Sequence, residues 1–141
     1  MRIVVADSPA LRAKAYAIRQ QVFVEEQRVP VELERDELDD AAVHVVALEG
    51  ERCVGTGRLV PQAGGVGRVG RMAVAADRRR AGVGDAMLAA LEQEARRLRL
   101  SEIELHAQSY VERFYARNGY APEGDHFEEA GIDHVIMRKR L

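Results

Sequence analysis

Strand-like and helix-like segments alternate along this chain, and their order limits the folds that it can adopt. Short β-rich runs predict six strands, at residues 2–6, 42–49, 53–60, 68–74, 102–107 and 134–139. Amphipathic spacing predicts three helices, at residues 9–26, 82–98 and 109–118. Helices distributed between strands in this way pack on the faces of one sheet. The sequence therefore predicts an α/β (α+β) fold, with a mixed central sheet of about six to seven strands and helices on both faces.

The predicted helices and the first hairpin have recognisable boundaries. Ser8 followed by Pro9 predicts an N-cap and a first-turn proline, and Gly119 predicts the end of the third helix. Gly50 predicts the turn between the second and third strands. Each of the longer helices has one apolar face, formed by Leu11, Ala15, Ile18 and Val22 in the first and by Val83, Met87, Leu91, Ala95 and Leu98 in the second.

Length and composition indicate a single domain over residues 1–141. The chain is 47% apolar and 31% charged, and its net charge of −2 predicts neither nucleic-acid nor anionic-membrane binding. The apolar runs are strand-sized and the first residues lack the apolar stretch of a signal peptide, so no membrane partner and no secretion are expected. One cysteine, Cys53, cannot form an internal disulfide, which predicts a cytoplasmic location.

Charge is nevertheless distributed unevenly along the chain. Residues 25–40 contain eight carboxylates and two arginines, whereas residues 71–99 contain seven arginines and four carboxylates. A protein that binds a polyanionic and a cationic ligand together would have such a distribution. Solvated helix faces produce charge runs as well, and the sequence leaves both interpretations open.

The stretch RRRAGVGDAM, residues 78–87, opens the second predicted helix. It does not match the dinucleotide fingerprint, because Met87 stands where G-x-G-x-x-G requires its third glycine, and it lacks the lysine of a P-loop. What remains is R-x-x-G-x-G over residues 79–84. Glycines allow a ligand to approach the main chain, and free N–H groups at a helix start bind oxygen anions. A tight turn with solvated arginines is the alternative.

Several motifs in sequence order resemble the GNAT N-acetyltransferase superfamily. RVGRMAV, RRRAGVGDAMLAALEQEA, EIELHAQ and FYARNGY are similar to its acetyl-CoA-binding half, and RQQVFVEEQRVPVELERDELDD and FEEAGIDHVIM are similar to its ElaA-type branch. The resemblance implies a GNAT fold with a splayed acetyl-CoA cleft. It also implies transfer of an acetyl group from the co-substrate acetyl-CoA to a primary amine of a small molecule or peptide, by direct attack in a ternary complex and without a metal. A homodimer is common in the superfamily.

The resemblance also implies which residues contact the co-substrate. The backbone of Met72, Ala73 and Val74 would pair with the pantetheine arm, and one N–H group, that of Val74, would polarise the thioester carbonyl. Gln108 stands where the family often has an asparagine that contacts this arm. The residues expected to hold the pyrophosphate are Arg79, Arg80, Ala81, Gly82, Val83, Gly84 and Asp85.

By the same resemblance, Tyr115 would be the general acid that protonates the departing thiolate. A thiol has a pKa of about 8.5 and a phenol one of about 10, so the phenol remains protonated at neutral pH and can donate as charge develops on sulfur. A core aromatic beside Phe114 is the alternative interpretation of Tyr115.

The sequence does not identify the general base. Carboxylates and imidazoles compete for this role, namely Glu26, Asp36, Glu104, His106, Glu129 and His134. His134 is the first choice, because it closes G-I-x-H in the branch pattern, although a polar residue at a strand start is the alternative. Strand alternation places Glu104, His106 and Gln108 on one face. The predicted acceptor pocket is lined by Glu26, Gln27, Asp36, His106, Phe127, Glu129 and His134, with residues 25–40 as an acidic wall that attracts a cationic amine.

Other functions agree less well with the residues. Cys53 near His44 lacks a third group for nucleophilic catalysis. The four histidines, His44, His106, His126 and His134, contain no close pair of ligands for a metal. The acidic segment is also similar to acyl-homoserine-lactone synthases, and the fold could bind acyl-CoA without turning it over. The acceptor and the use of longer acyl-CoAs stay open.

Overall fold

A computed structural model describes all 141 residues as one seven-stranded sheet with helices on both faces. The strands are β1 (Arg2–Val5), β2 (Val43–Glu49), β3 (Arg52–Gln62), β4 (Val66–Val74), β5 (Glu102–Gln108), β6 (Ala121–Glu129) and β7 (Ile132–Arg140). The helices are α1 (Pro9–Arg19), α2 (Val31–Glu34), α3 (Val83–Arg97) and α4 (Glu112–Arg117). No helix is both long and apolar enough to cross a lipid bilayer.

The strands lie in the order β1-β2-β3-β4-β5-β7-β6, and only the central pair, β4 and β5, is parallel. Helix α1 covers one face, where Ala15 packs with Val46 and Leu48. Helix α3 covers the other face, where Met87 and Leu91 pack with Val45 and other core residues. The predicted fold class is thereby confirmed.

Strand β6 is absent from the sequence prediction. It is an edge strand, nearly all of its residues are exposed, and it bulges between Glu123 and Phe127, where Gly124 adopts a φ of +79°. No apolar alternation marks such a strand in the sequence. Strand β7 also begins earlier than predicted, at Ile132.

The predicted helices differ from the observed ones at their ends. The segment predicted as one helix over 9–26 is α1 followed by a π-helix at Gln20–Glu26, and the segment 109–118 begins as a 3₁₀ turn before α4. Ser8 caps α1 as expected, accepting a hydrogen bond from the Leu11 N–H at 3.2 Å. Leu98 does not belong to the buried face of α3, because the helix ends one residue earlier and 37% of Leu98 is exposed.

Strands β4 and β5 diverge halfway along their length. Their parallel pairing runs from Val66 opposite Glu102 to Val69 opposite Leu105, and neither strand has the other as a partner beyond that point. Strand β4 also contains a bulge, because Arg71 and Met72 together oppose the single residue Gly57 of β3. Arg71 adopts a φ of +53° there. The divergence opens a cleft in the middle of the sheet.

Candidate active site

The cleft has a volume of about 1140 Å³ and extends from the start of α3 to the β6–β7 turn. It is lined at one end by the loop between β4 and α3, and at the other by side chains from β4, β5, β6 and β7. We call these the cofactor end (residues 72–85, 108 and 115) and the acceptor end (residues 33–38, 58, 68–71, 106 and 129–134). Nearly all predicted site residues line this cleft; Ala81, Phe127 and Glu104 do not.

The cofactor end is built around the N-terminus of α3. Gly82 occupies the N-cap position with a φ of +84°, a left-handed conformation that favours glycine. The first N–H groups of a helix have no intrahelical acceptor, so those of Val83 and Gly84 are free donors beside the cleft. Gly84 also packs tightly on α4, because an added Cβ would lie 3.1 Å from Phe114 Cζ. This turn combines free donors with close backbone approach, as an oxygen anion requires.

The side chains around this turn contribute unequally. Arg79 lies against the cleft, where its Nε donates to the Val74 carbonyl at 3.1 Å and its guanidinium pairs with Glu26 at 2.9 Å. Arg80 is exposed and lines the cleft. Arg78 is engaged elsewhere, with Glu49 at 2.9 Å and Asp77 at 3.1 Å.

Asp85 presents only its main chain to the turn. Its carboxylate accepts hydrogen bonds from Asn118 at 2.9 Å and Arg117 at 3.0 Å. The Asn118 hydrogen bond is the main cause that holds the pKa of this carboxyl below its usual value; desolvation opposes it, and the contact with Arg117 adds to the lowering. Asp85 therefore fixes α4 against the start of α3.

The edge of β4 beyond the bulge has a free N–H group. Ala75 donates to the Val54 carbonyl of β3 at 2.9 Å. Since N–H directions alternate along a strand, the N–H of Val74 points the other way, toward the open edge where β5 has diverged. The Val74 carbonyl, which Arg79 engages, points in that direction too.

Tyr115 is buried at the floor of the cofactor end. Only 7% of it is exposed, and its ring packs edge-on against Phe114 and Tyr120, with centroids 4.9 and 5.9 Å away. Burial raises the pKa of Tyr115 well above that of a free phenol, so the hydroxyl is protonated at neutral pH. Tyr120 has a different role, because its hydroxyl donates to Glu92 at 2.9 Å within the core.

At the acceptor end, His134 presents a basic nitrogen to the cleft. Its Nδ1 lies 2.7 Å from the Ile132 carbonyl oxygen. A carbonyl only accepts, so Nδ1 carries the proton and Nε2 has a free lone pair in the neutral ring. Phe127 stacks on this ring with an interplanar angle of 24°, which fixes its orientation although Phe127 does not itself line the cleft. Glu129 Oε2 lies 3.8 Å from Nε2.

His106 stands between a cation and an anion. Its Nδ1 is 2.8 Å from Arg68 Nη2 and 3.0 Å from Glu129 Oε1. Arginine only donates and a carboxylate only accepts, so an unprotonated Nδ1 binds Arg68 and a protonated Nδ1 binds Glu129. Burial disfavours the charged form of Glu129, but the hydrogen bond and charge of His106 outweigh it and lower the pKa of this carboxyl.

The acidic segment does not form the expected acidic wall. Arg19 is completely buried and binds Glu34 at 2.5 Å and Asp39 at 2.8 Å, while Arg58 binds Asp36 at 2.8 Å and Asp39 at 2.9 Å. Burial opposes ionisation of Asp39, but its hydrogen bonds with Arg19 and Arg58 hold its pKa well below the usual range. These carboxylates attach the segment to the sheet instead of facing an amine. Asp36 is on this account a poor candidate for the base, as is Glu104, which binds Arg138 at 2.7 Å.

Polar contacts of Glu26, the last residue of the π-helix, and of the adjacent Gln27 cross the cofactor end. Glu26 reaches Arg79, and Gln27 donates to the Tyr110 hydroxyl at 2.9 Å. The Gln27 carbonyl accepts from the Gln108 amide, also at 2.9 Å. Gln27 and Gln108 are therefore partners of each other, although the sequence assigned one to the acceptor and the other to the co-substrate.

The cleft residues that the sequence did not identify include Arg68, Gly70, Arg71 and Tyr110. Arg68 and Arg71 belong to the recognised RVGRMAV strand, but strand periodicity places residues three apart on opposite faces and gives no reason to pair them. Only the bulge in β4 brings them to the same face.

A twisted mixed sheet, split between its parallel central strands beside an anion-binding helix start, defines a class of acyl-CoA-dependent transferases. The chain matches the family described as an acetyltransferase (GNAT) domain over residues 9–141. It is 38% identical over 140 residues to the uncharacterized N-acetyltransferase YjcF of Bacillus subtilis, covering 99% of each chain. The protein belongs to the GNAT family and is an acetyl-CoA-dependent N-acetyltransferase.

Solved structures agree with this assignment. A protein from Lactobacillus plantarum assigned to the N-acetyltransferases superimposes with a TM-score of 0.93 at 37% identity, covering 99% of this chain and 97% of the other. Escherichia coli ElaA superimposes with a TM-score of 0.85, covering 98% and 97%, and its 21% identity supports the shared fold alone. The predicted superfamily and its splayed fold are confirmed.

Proposed function

We propose that this protein acetylates a primary amine by direct attack within a ternary complex, with Tyr115 as general acid and His134 as general base. The observation that carries the proposal is that a buried protonated phenol and an imidazole with a free Nε2 line one cleft. That cleft begins at a helix start suited to a pyrophosphate. Attack of an amine on a thioester requires a base for the ammonium proton and an acid for the leaving thiolate, and these two side chains can supply them.

The cofactor end fits the co-substrate. The free N–H groups at the start of α3, with Arg79 and Arg80, would hold the pyrophosphate, and the unpaired edge of β4 would hold the pantetheine arm. The N–H of Val74 would donate to the thioester oxygen, where negative charge develops during attack. Acetyl-CoA supplies an acetyl group activated as a thioester.

The proton transfers follow from the two side chains. His134 Nε2 takes a proton from the ammonium form of the acceptor, directly or through a water molecule, and Glu129 stabilises the resulting imidazolium. The amine nitrogen then forms a bond to the carbonyl carbon as the carbon–sulfur bond breaks. Tyr115 gives its proton to the departing thiolate, so that free CoA leaves as the thiol. The attacking nitrogen loses one of its two remaining protons as the neutral amide forms, and this proton restores the Tyr115 phenol, while the proton on His134 passes to solvent.

The test is the substitution Tyr115→Phe, assayed by thiol release from acetyl-CoA across amine classes. Loss of a general acid should lower kcat by about 100-fold or more, with little change in the KM for acetyl-CoA. Tyr120→Phe is the matched control, since it removes a buried hydroxyl that donates to Glu92 and should affect stability but not the chemical step. Full turnover by the Tyr115→Phe protein contradicts the assigned role, and absence of amine-dependent thiol release across all amine classes favours a non-catalytic acyl-CoA-binding module.

A further inference from the structure

The bulge in β4 places two arginines on one face of the sheet. Met72 lies on the α3 face, because an added Cβ at Gly57 would be 2.7 Å from Met72 Sδ and 2.8 Å from Leu91 Cδ1. Arg71 lies on the opposite face, where its Nε donates to the Glu34 carbonyl of α2 at 3.0 Å. Arg68 lies on that face too, beside His106. A regular strand would have separated residues three positions apart.

Between these arginines the floor of the cleft is bare backbone. Gly70 lines the cleft, and an added Cβ there would meet no atom within 4 Å. A ligand group of a few atoms can therefore rest on the strand at Gly70 with a guanidinium on either side.

Both guanidinium groups keep donors for a ligand. Arg68 makes one hydrogen bond, to His106, and its nearest carboxylate oxygen, on Glu129, is 3.9 Å away. Arg71 binds the carbonyls of Glu34 and Leu33, and reaches Asp36 only at 3.4 Å. A guanidinium has five N–H donors, so each group has several left, and about a third of each side chain is exposed to the cleft (34% and 28%).

The remaining carboxylates do not cancel this positive site. Glu34 and Asp39 are bound by the buried Arg19, and Asp36 is bound by Arg58 at 2.8 Å. The carboxylate of Glu129 lies beside His106 and His134, with one oxygen 3.8 Å from His134 Nε2 and the other 3.0 Å from His106 Nδ1 and 3.9 Å from Arg68. The acceptor end thus has donors for an anion at β4 and an acceptor for an ammonium group at β6 and β7.

We propose that the acceptor is a small amine that also carries a carboxylate, and that Arg68 and Arg71 bind this carboxylate over Gly70 while the amine faces His134 and Glu129. An amino acid has this arrangement of charges. The inference rests on the proposed function, because it presumes that the acceptor amine approaches His134. It reverses the expectation, drawn from the charge of residues 25–40, of a pocket for cationic amines.

The experiment compares matched amines that differ only in the carboxylate. Thiol release from acetyl-CoA is measured with a set of amino acids, with the amide of each one and with the corresponding decarboxylated amine. Planar donors placed for a carboxylate discriminate against its neutral analogue, so kcat/KM for the acid should exceed that for the amide by about tenfold or more. The preference should appear mainly in KM.

Substitutions at Arg68 and Gly70 test whether the preference for the acid depends on this site. Arg68→Gln should abolish the preference by raising KM for the acid, with the amide little affected, and Arg68→Lys should restore part of it. Gly70→Val should also abolish the preference, because the valine side chain would occupy the position of the carboxylate between the two guanidinium groups. This variant keeps the test valid if an arginine variant folds poorly. Arg138→Gln is the matched control. Arg138, on β7, pairs with Glu104 on β5 and does not line the cleft, so this variant should keep the preference.

The outcomes separate this inference from the function on which it rests. Acetylation of amides, decarboxylated amines or polyamines in preference to the acids overturns the carboxylate site and leaves the transferase intact. The same holds for a preference that survives both Arg68→Gln and Gly70→Val. Absence of thiol release with every amine overturns the proposed function itself.

Discussion

The two ends of the cleft are made from different parts of the chain. The cofactor end consists mostly of main-chain groups: the first N–H groups of α3 and the free edge of β4. The acceptor end consists of side chains from β3, β4, β5, β6 and β7 together with residues 33–38, a segment that buried ion pairs attach to the sheet. A main-chain site needs the right local conformation, which a few adjacent residues determine. A side-chain site needs distant residues to meet, so its integrity depends on tertiary contacts.

The largest expected effect comes from removing the ion pairs behind the acceptor end. Arg19→Met leaves the buried carboxylate of Glu34 without its partner and that of Asp39 with Arg58 alone, which should lower the free energy of unfolding by about 3–5 kcal/mol in urea denaturation. Where the variant remains folded, its affinity for CoA should be unchanged, because Arg19 contacts no residue of the cofactor end.

Arg52→Met is the control for this prediction. It breaks an equally short pair with Asp77, at 2.6 Å, but both side chains are about half exposed (48% and 56%). Solvent screens such a pair, and the denaturation midpoint should barely move. Equal effects of the two substitutions would mean that the buried cluster does not hold the acceptor end.

A smaller effect is expected from a substitution at the cofactor end, where the site consists of main-chain groups. Gly82→Val forces a β-branched residue into a left-handed conformation, at a cost of about 1–2 kcal/mol, and a shift of the turn to relieve it would misplace the free N–H groups. We expect affinity for CoA, measured by calorimetry, to fall by about tenfold or more as these donors are lost.

Gly50→Val is the matched substitution. Gly50 also has a positive φ, +60°, and open space around its Cα, but it lies in the β2–β3 turn, far from the cleft. It should cause a similar loss of stability with no change in affinity for CoA. Normal CoA binding by the Gly82→Val protein would contradict the main-chain cradle.

The smallest effect concerns the ion pair between Glu26, at the end of the π-helix, and Arg79, at the cofactor end. Glu26→Gln should free the Arg79 guanidinium for a pyrophosphate and raise affinity for CoA by about two- to fivefold, as expected for a partly exposed pair, with the gain shrinking at high salt. Glu25→Gln removes the same charge from an exposed neighbouring position and should have less effect. Weaker CoA binding in the Glu26→Gln protein would show instead that Glu26 positions Arg79 for its ligand.

The accuracy of the sequence predictions also differs between the cofactor end and the acceptor end. Residues 79–84 are contiguous, so their motif, the helix that follows and the fold order were all recognisable. At the acceptor end, Asp36, His106, Glu129 and His134 were predicted and do line the cleft, but the arrangement of this end was not predicted. Its bulge depends on how Arg71 and Met72 oppose Gly57 across two strands, and β6 is an exposed edge without periodicity.

The local count of charged residues was a misleading guide to the charge of the cleft for the same reason. Counting carboxylates in residues 25–40 indicates an acidic surface, but the count does not reveal that Arg19 and Arg58, from other elements, neutralise several of them. His134 was singled out by a motif, whereas its available Nε2 follows from the Ile132 carbonyl, which only the structure shows.

The segment that follows the π-helix at Gln20–Glu26 has an orientation that depends on how many residues the π-helix contains, as well as on which residues they are. An α-helix advances about 100° per residue, so a deletion that restored regular α-helix here would rotate everything downstream by about that angle relative to α1. Glu26 and Gln27 would then turn away from the cleft with their chemistry unaltered. Within this family, alignments that place a one-residue gap in these positions would therefore separate proteins in which the segment reaches across the co-substrate from those in which it does not.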